Sequence, residues 1–311
     1  MRVASSRARF LELLLFPLGS VLLTRLGLGI LFLLIPLQAV RVRRGRAGFF
    51  ASAGIAAVFF LCCAAYDYYV NFSHDNAAMV LVGFDLTQEL LLILGLVIVN
   101  LGVLERFRCL IRLLLATLAS GVIIVLICLA APLLPGFHDA VRLIFQGISE
   151  LAQAVLAPAG TAAPGSFVAE LTEPAFLQGY FTAIISKGLL LGYFVILLMG
   201  WWGGSLIASR IMPFGQARSR VPRLAGFRME GYYLWALIFF GALILLDRVV
   251  GIGIFSYAAW NVGLVILFLY GLQGMGILKF LFEKYRLPRL LWIVLLVALA
   301  IAMMSPQAYL I

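Results

Sequence analysis

Asp85 and Glu89 stand one helical turn apart in GFDLTQELLLI (residues 83–93), near the start of a long apolar run. Residues four apart share a helix face. Together they have the chemistry to hold a cation or a hydrogen-bonding group, or to carry a proton. If their helix starts near Ala78, Glu89 lies about 16 Å deep, close to the middle of a hydrocarbon core about 30 Å thick. A lone charge there costs at least about 3 kcal/mol, so Glu89 needs a partner, a proton or water. Lys187, in FTAIISKGLLLGYF, sits at a matching depth in another apolar run. A Glu89–Lys187 pair is therefore expected, with Asp85 a turn outward. A second reading competes. DLTQ has the form of a capping box, with Asp85 as N-cap and Gln88 returning the bond. The helix would then cover about 86–104, and both acids would sit at the outer interface. The residues alone leave both readings open.

Asn261 and Gln273 complete the set of substrate-binding candidates, because an amide in lipid wants a helix–helix hydrogen bond or a ligand. Other polar residues carry less. Glu12 reads as an acid near the inner edge beside Arg7 and Arg9, and Arg25 as the outer tip of a first hairpin. Asp67 and the Asp247–Arg248 pair read as interfacial. His74 and His138, in outer loops, make a poor metal or haem set. The four cysteines, Cys62, Cys63, Cys109 and Cys128, fall in or beside apolar runs without a CxxC pair, and read as packing residues. No P-loop, GxSxG or HExxH motif occurs. The expectation is no enzyme, no cofactor and no metal, and active transport would need an ATPase partner or an ion gradient.

The elements that must position these groups follow from composition. The chain of 311 residues is 64% hydrophobic and 12% charged, with a mean hydropathy of +1.12. So few charges do not cover that much apolar surface in water. Lipid must be the solvent, and backbone satisfaction then requires helices, since the runs do not alternate as barrel strands do. The fold class expected is an all-α, polytopic transmembrane helical bundle in one integral membrane domain, with eight or nine membrane segments. Residues 10–40 form a short hairpin or two thin spans, broken around TRLGLG. Spans follow at 48–69, 79–104, 111–134, 176–205, 231–247, 251–279 and 290–304. The Arg-led N-terminus resembles a signal peptide but lacks a convincing cleavage site, and reads as a retained membrane segment. In the outer loop 135–175, Val141, Ile144, Phe145, Ile148, Leu151 and Val155 recur at helical spacing. An amphipathic helix over 138–156 is expected, lying on the membrane or capping the bundle, followed by a flexible connector, APAGTAAPGSF. Gly188/Gly192, Gly200/Gly204 and Ala53/Ala57 are small-xxx-small pairs that mark packing.

The net charge of +10 lies in short clusters between spans, as topology signals do, and not in a nucleic-acid patch. Arg2/7/9, Arg41/43/44/46, Arg106/108/112, the stretch from Arg210 to Arg228 and Lys279 to Arg289 fall on one side. That side is expected to be the cytoplasm of a bacterium, with the N-terminus inside and the protein in the inner membrane.

The stretch NVGLVILFLYGLQGMGILKFLFEKYRLPRLLW, from Asn261 to Trp292, resembles the closing helix pair of the YybS-like family of bacterial membrane proteins. Asn261, Leu269-Tyr270-Gly271-Leu272-Gln273-Gly274 and the basic turn carry the likeness. More distantly, IPLQAVRVRRGRAGFFASAGIAA is similar to the Pro-containing second span and basic turn of S subunits of energy-coupling-factor transporters. The resemblance implies a bundle that binds or transports a small solute, with an ATPase or other membrane partner. The alternative is a non-transporting scaffold or assembly factor. Reporter fusions after residues 74 and 216 are expected to light up on opposite sides of the membrane, and a common side would overturn the arrangement.

Overall fold

Apolar runs bounded by arginines become helices in the computed structural model, and no strand occurs among the described residues. Those residues are 2–26, 30–71, 75–156, 173–211, 227–251 and 253–286, with 288, 291 and 294. The connector 157–167, the basic stretch 212–226, His74 and nearly all of the expected span 290–304 lie outside them, as do the side chains of Arg7, Arg9 and Glu12. The helices described are α1 (Arg2–Arg25), α2 (Leu34–Tyr66), α3 (Asn76–Val99), α4 (Cys109–Ala130), α5 (Phe137–Leu156), α6 (Pro174–Ile211), α7 (Tyr232–Val250) and α8 (Ile254–Lys284). Six are long and apolar enough to cross a membrane, and Leu13–Arg25 is a shorter apolar piece. The protein is thus an all-α polytopic bundle. It divides into two compact units, Met1–Val221 and Pro222–Ile311.

In the first unit, residues 10–40 do not form two equal thin spans. α1 runs through Pro17 to Arg25, and a short 3-10 turn (Ile30–Phe32) leads into α2. Proline has no N–H to give its i−4 carbonyl, which here belongs to Leu13. The Ser52 hydroxyl of α2 donates to that carbonyl instead, at 3.4 Å. The basic stretch RVRRGR is not a loop. It is helical on both sides of Gly45, whose φ of +76° and ψ of −167° break the helix there. A side chain at positive φ is strained, so glycine is the residue that allows this break.

The break is clamped by charge. Arg41 Nη2 donates to Glu105 at 2.7 Å, and Arg46 binds the same carboxylate through Nε at 3.0 Å. The Arg46 hydrogen bond, and then the charges of both arginines, hold the Glu105 carboxyl below its usual range. Nearby, a buried amide relay ties three helices. Asn100 Nδ2 donates to Gln38 Oε1 at 2.9 Å, and Gln38 Nε2 donates to the Ser205 hydroxyl at 3.2 Å. Arg112 reaches the Val99 carbonyl that α3 leaves open at its end (3.5 Å). One end of this unit therefore gathers Arg41, Arg46, Glu105 and Arg112.

The opposite end is about 30 Å away, counted along α2 from Arg46 to Asp67 at the helical rise. That is one hydrocarbon thickness. There Arg25 meets Asp67. α3 and α6 continue past this level by about 14 and 20 Å, from Asp85 back to Asn76 and from Lys187 back to Pro174. α5 packs on these extensions. It buries Ala140 against Ala77 and Val80, with Leu81, Phe84 and Phe137 around them. Phe145 meets Phe181 with ring centroids 6.1 Å apart. The stripe facing the bundle runs through Phe137, Ala140, Phe145 and Ser149, while Ile144 and Leu151, expected on the buried face, are exposed. The helix caps the extended ends of α3 and α6 and keeps a second apolar edge outward.

In the second unit, α7 and α8 form a hairpin. Gly251 (φ +72°) ends α7 with its N–H on the Asp247 carbonyl, and the Asp247 carboxylate accepts the Gly253 N–H at 2.7 Å. Asp247 is a turn residue.

Of the small-residue pairs, only some make close contacts. A Cβ on Gly204 would lie 2.6 Å from the Ile35 carbonyl, and one on Gly200 would collide with Leu34, whereas Gly188 and Gly192 have nothing within 4 Å. Gly204→Ala is expected to lower stability by about 1–3 kcal/mol through overpacking. Gly188→Ala should be neutral or stabilising in thermal melts, and equal losses at the two sites would refute this contact map.

Candidate functional site

α3 is continuous from Asn76, with Asp75 in extended geometry at its N-cap position. Asp85 is therefore inside a helix and does not cap one, so the DLTQ capping box is not formed. Asp85 stands level with the Arg25–Asp67 contact, one hydrocarbon thickness from Glu105, and α3 extends beyond that level to Asn76.

The cation that meets these acids comes from α1. Arg25 Nη1 lies 2.6 Å from Asp67 Oδ2 and 3.9 Å from Asp85 Oδ2. The Asp85 side chain is 56% exposed. Glu89, one turn inward on the same face, is only 1% exposed. Neither of its carboxylate oxygens has a hydrogen-bond partner among the described residues. It lies within electrostatic reach of Asp85, Arg25 and Asp67. Burying a carboxylate without donors costs several kcal/mol, so an acid left here marks a proton or ligand site more than a stabilising contact.

Beside this cluster opens a pocket of about 320 Å³ lined by Arg25, Phe59, Cys62, Cys63, Tyr66 and Asp67. Arg25 lines the pocket and reaches Asp85 at 3.9 Å, while Asp85 and Glu89 are not among the lining residues. That volume is at the lower end for small-molecule sites. The two cysteines are free thiols on the pocket wall, Cys62 exposed and Cys63 half-buried.

Lys187 lies on α6. Tyr193, six residues on, donates to the Leu91 carbonyl at 2.7 Å and shares a 2.8 Å hydrogen bond with Ser120. This registers α6 against α3 and puts Lys187 level with Asp85. Yet no ion pair or hydrogen bond joins Lys187 to Glu89 among the described residues. In the second unit, Asn261 Nδ2 donates to the Tyr257 carbonyl one turn back (2.9 Å), and Gln273 Oε1 accepts the Met229 N–H (3.1 Å). Both amides satisfy backbone. Sequence reasoning missed Arg25 and Asp67 as neighbours of the acids, and Phe59 and Tyr66 as residues of the pocket that Arg25 and Asp67 line. The available signal was that Arg25 is a basic residue at the acid-rich end of the spans.

A family model described as predicted membrane protein (DUF2232) matches residues 14–311. No curated protein and no solved structure gives a significant match.

If Lys187 does not neutralise Glu89, Lys187→Met and Glu89→Gln should have additive effects on stability, with a coupling below about 0.5 kcal/mol. A double-mutant cycle in thermal or denaturant unfolding measures this. A coupling well above that value would restore the pair.

Proposed function

From the premise that the chain belongs to this family of predicted membrane proteins, we propose that its first unit binds a small polar solute in the pocket at the Arg25 end. The observation that carries the reading is Glu89, 1% exposed and with no hydrogen-bond partner on either oxygen among the described residues, one turn from Asp85, in a cluster whose Arg25 and Asp67 line a pocket of about 320 Å³. Structural ion pairs satisfy their members, and this cluster leaves one unsatisfied. Arg25 and Asp67 form the polar wall of that pocket and Phe59 and Tyr66 its apolar surface, while Asp85 and Glu89 bear on it electrostatically through Arg25. Lys187, at the same level, sets the local potential without touching Glu89. Asn261 and Gln273 serve helix packing in this reading.

The protein acts by binding and not by catalysis. It sits in the inner membrane of a bacterium with its N-terminus and the Arg41–Arg46 end in the cytoplasm, because arginine-rich connections stay inside. The pocket then faces outward, as a capture site should. The likeness to YybS-like proteins and to S subunits supports a solute-handling role in which an ATPase or other membrane partner supplies the energy. The scaffold alternative draws on the amide relay Asn100–Gln38–Ser205, which only holds helices together.

Mass spectrometry of small molecules retained by the purified protein tests the reading. A compound held by the wild type and lost from Cys62→Trp, which places a bulky side chain on the pocket wall, is the expected result. Retention of nothing, or equal retention by both, would overturn it. Recovery of a stable complex with unrelated membrane proteins would favour the scaffold.

A further inference from the structure

At the end of the first unit opposite the pocket, arginines far outnumber acids. Residues 38–50 carry Arg41, Arg43, Arg44 and Arg46, and residues 99–112 carry Arg106, Arg108 and Arg112. Glu105 is the only acid in either stretch. It staples the two together, accepting from Arg41 at 2.7 Å and from Arg46 Nε at 3.0 Å. The Gly45 break in α2 is thereby tied to the 3-10 turn Gly102–Arg106 between α3 and α4. One carboxylate does not balance that many guanidinium groups, and like charges gathered in one layer repel. The layer therefore attracts anions from outside the chain.

Its position and its neighbours say which kind. Arg46 lies one hydrocarbon thickness from Asp67, counted along α2, which is the level of lipid headgroups. The layer is open to its surroundings. The Arg46 side chain is 42% exposed, and Arg106 and Arg108 are exposed as well. Apolar side chains stand beside these charges. Phe50, one turn from Arg46 on the same helix face, is exposed, and about 6 Å further along α2 toward the hydrocarbon. Leu101 is also exposed, and Val103, two residues before Glu105, is 73% exposed. A soluble anion would use the arginines and leave this apolar surface without a partner. An anionic phospholipid uses both.

The headgroup follows from the same charges. A guanidinium fork pairs with a phosphate through two parallel N–H bonds. A zwitterionic headgroup would bring a second cation into a layer already rich in them. Basic clusters beside membrane spans attract anionic headgroups on these grounds.

We propose that this arginine layer is a binding site for an anionic phospholipid of the phosphatidylglycerol or cardiolipin type, its phosphate on Arg46, Arg106 and Arg108 and its acyl chains along Phe50, Leu101 and Val103. The lipid supplies the negative charge that Glu105 alone does not, and it bridges the second half of α2 to the α3–α4 turn. The site lies at the other end of the unit from the pocket, so it stands or falls independently of solute binding.

The test uses the full chain stripped of lipid in a neutral maltoside detergent and titrated with single lipids, read by native mass spectrometry and by thermal melting. Phosphatidylglycerol should raise the melting temperature and bind at least about tenfold tighter than phosphatidylcholine. Arg106→Gln/Arg108→Gln should weaken phosphatidylglycerol binding by about tenfold or more, whereas Arg142→Gln, at an exposed arginine on α5, should change it by less than about twofold. Arg46 stays in place because it also holds Glu105. Equal binding of phosphatidylcholine, or an equal loss in Arg142→Gln, overturns the proposal. Inorganic phosphate and glycerol 3-phosphate at the same concentrations should leave the melting temperature unchanged. If they match phosphatidylglycerol, the layer is a soluble-anion site and the lipid proposal falls.

Should the double variant not fold, the wild type gives a second reading. Phenylglyoxal labels accessible arginines, and mass spectrometry of peptides locates the label. Phosphatidylglycerol, and not phosphatidylcholine, should protect Arg46, Arg106 and Arg108 and leave Arg142 as reactive as before. No protection, or the same protection by both lipids, overturns the proposal.

Discussion

Lipid offers no hydrogen bonds, so every polar group carried into the bundle must find its partner within the protein. Much of the first unit reads as a consequence. Pro17 leaves the Leu13 carbonyl short of a donor, and Ser52 supplies one. The end of α3 leaves open carbonyls, and Asn100 and Arg112 take them. Tyr193 brings its hydroxyl to the Leu91 carbonyl of α3 and shares it with Ser120 of α4. These matches fix the register of α3 against α6 and of α6 against the first half of α2. Against that background a fully buried carboxylate with no donor among the described residues stands out, and Glu89 is such a group.

The same constraint sorts charges by level. Arg41, Arg46 and Glu105 form one layer, and Arg25, Asp67 and Asp85 another, about 30 Å along α2. Charges sit where headgroups and water can reach them, and the core between is Phe49, Phe60, Leu92, Leu96, Phe194 and Leu197. Because α3 and α6 outrun the outer layer, α5 has a surface to cover. Its aromatic contacts at Phe84 and Phe181 hold it there. The extension also explains why Asp85 is both well inside a helix and close to a membrane boundary.

Gly45 shows how a local exception serves the layered plan. The arginines on either side of it must reach one carboxylate, and a straight helix would send them to different faces. A positive φ breaks the helix and lets Arg41 and Arg46 converge on Glu105. Gly200 and Gly204 do a different job, by admitting Leu34, Ile35 and Gln38 close to the α6 backbone. That approach brings Gln38 within reach of Ser205.

The all-helical membrane character was legible in the sequence, because hydrophobic content and run length are local quantities that lipid reads directly. The helical spacing of residues 138–156 was legible for the same reason, as was the placing of Asp85 and Glu89 on one helix face. Their partners were not. Depth can be counted along one helix, but azimuth around the bundle cannot, and Lys187 and Arg25 were both available at the right level. Packing chose Arg25, since α1 lies against α2 and ends beside Asp67, whereas Lys187 makes no bond to Glu89. Packing likewise turned Asn261 and Gln273 toward backbone groups, and made Gly200 and Gly204, not Gly188 and Gly192, the close contact. Which residues are polar is written in the chain, and which of them meet depends on how the helices are rotated, a property only the tertiary structure holds.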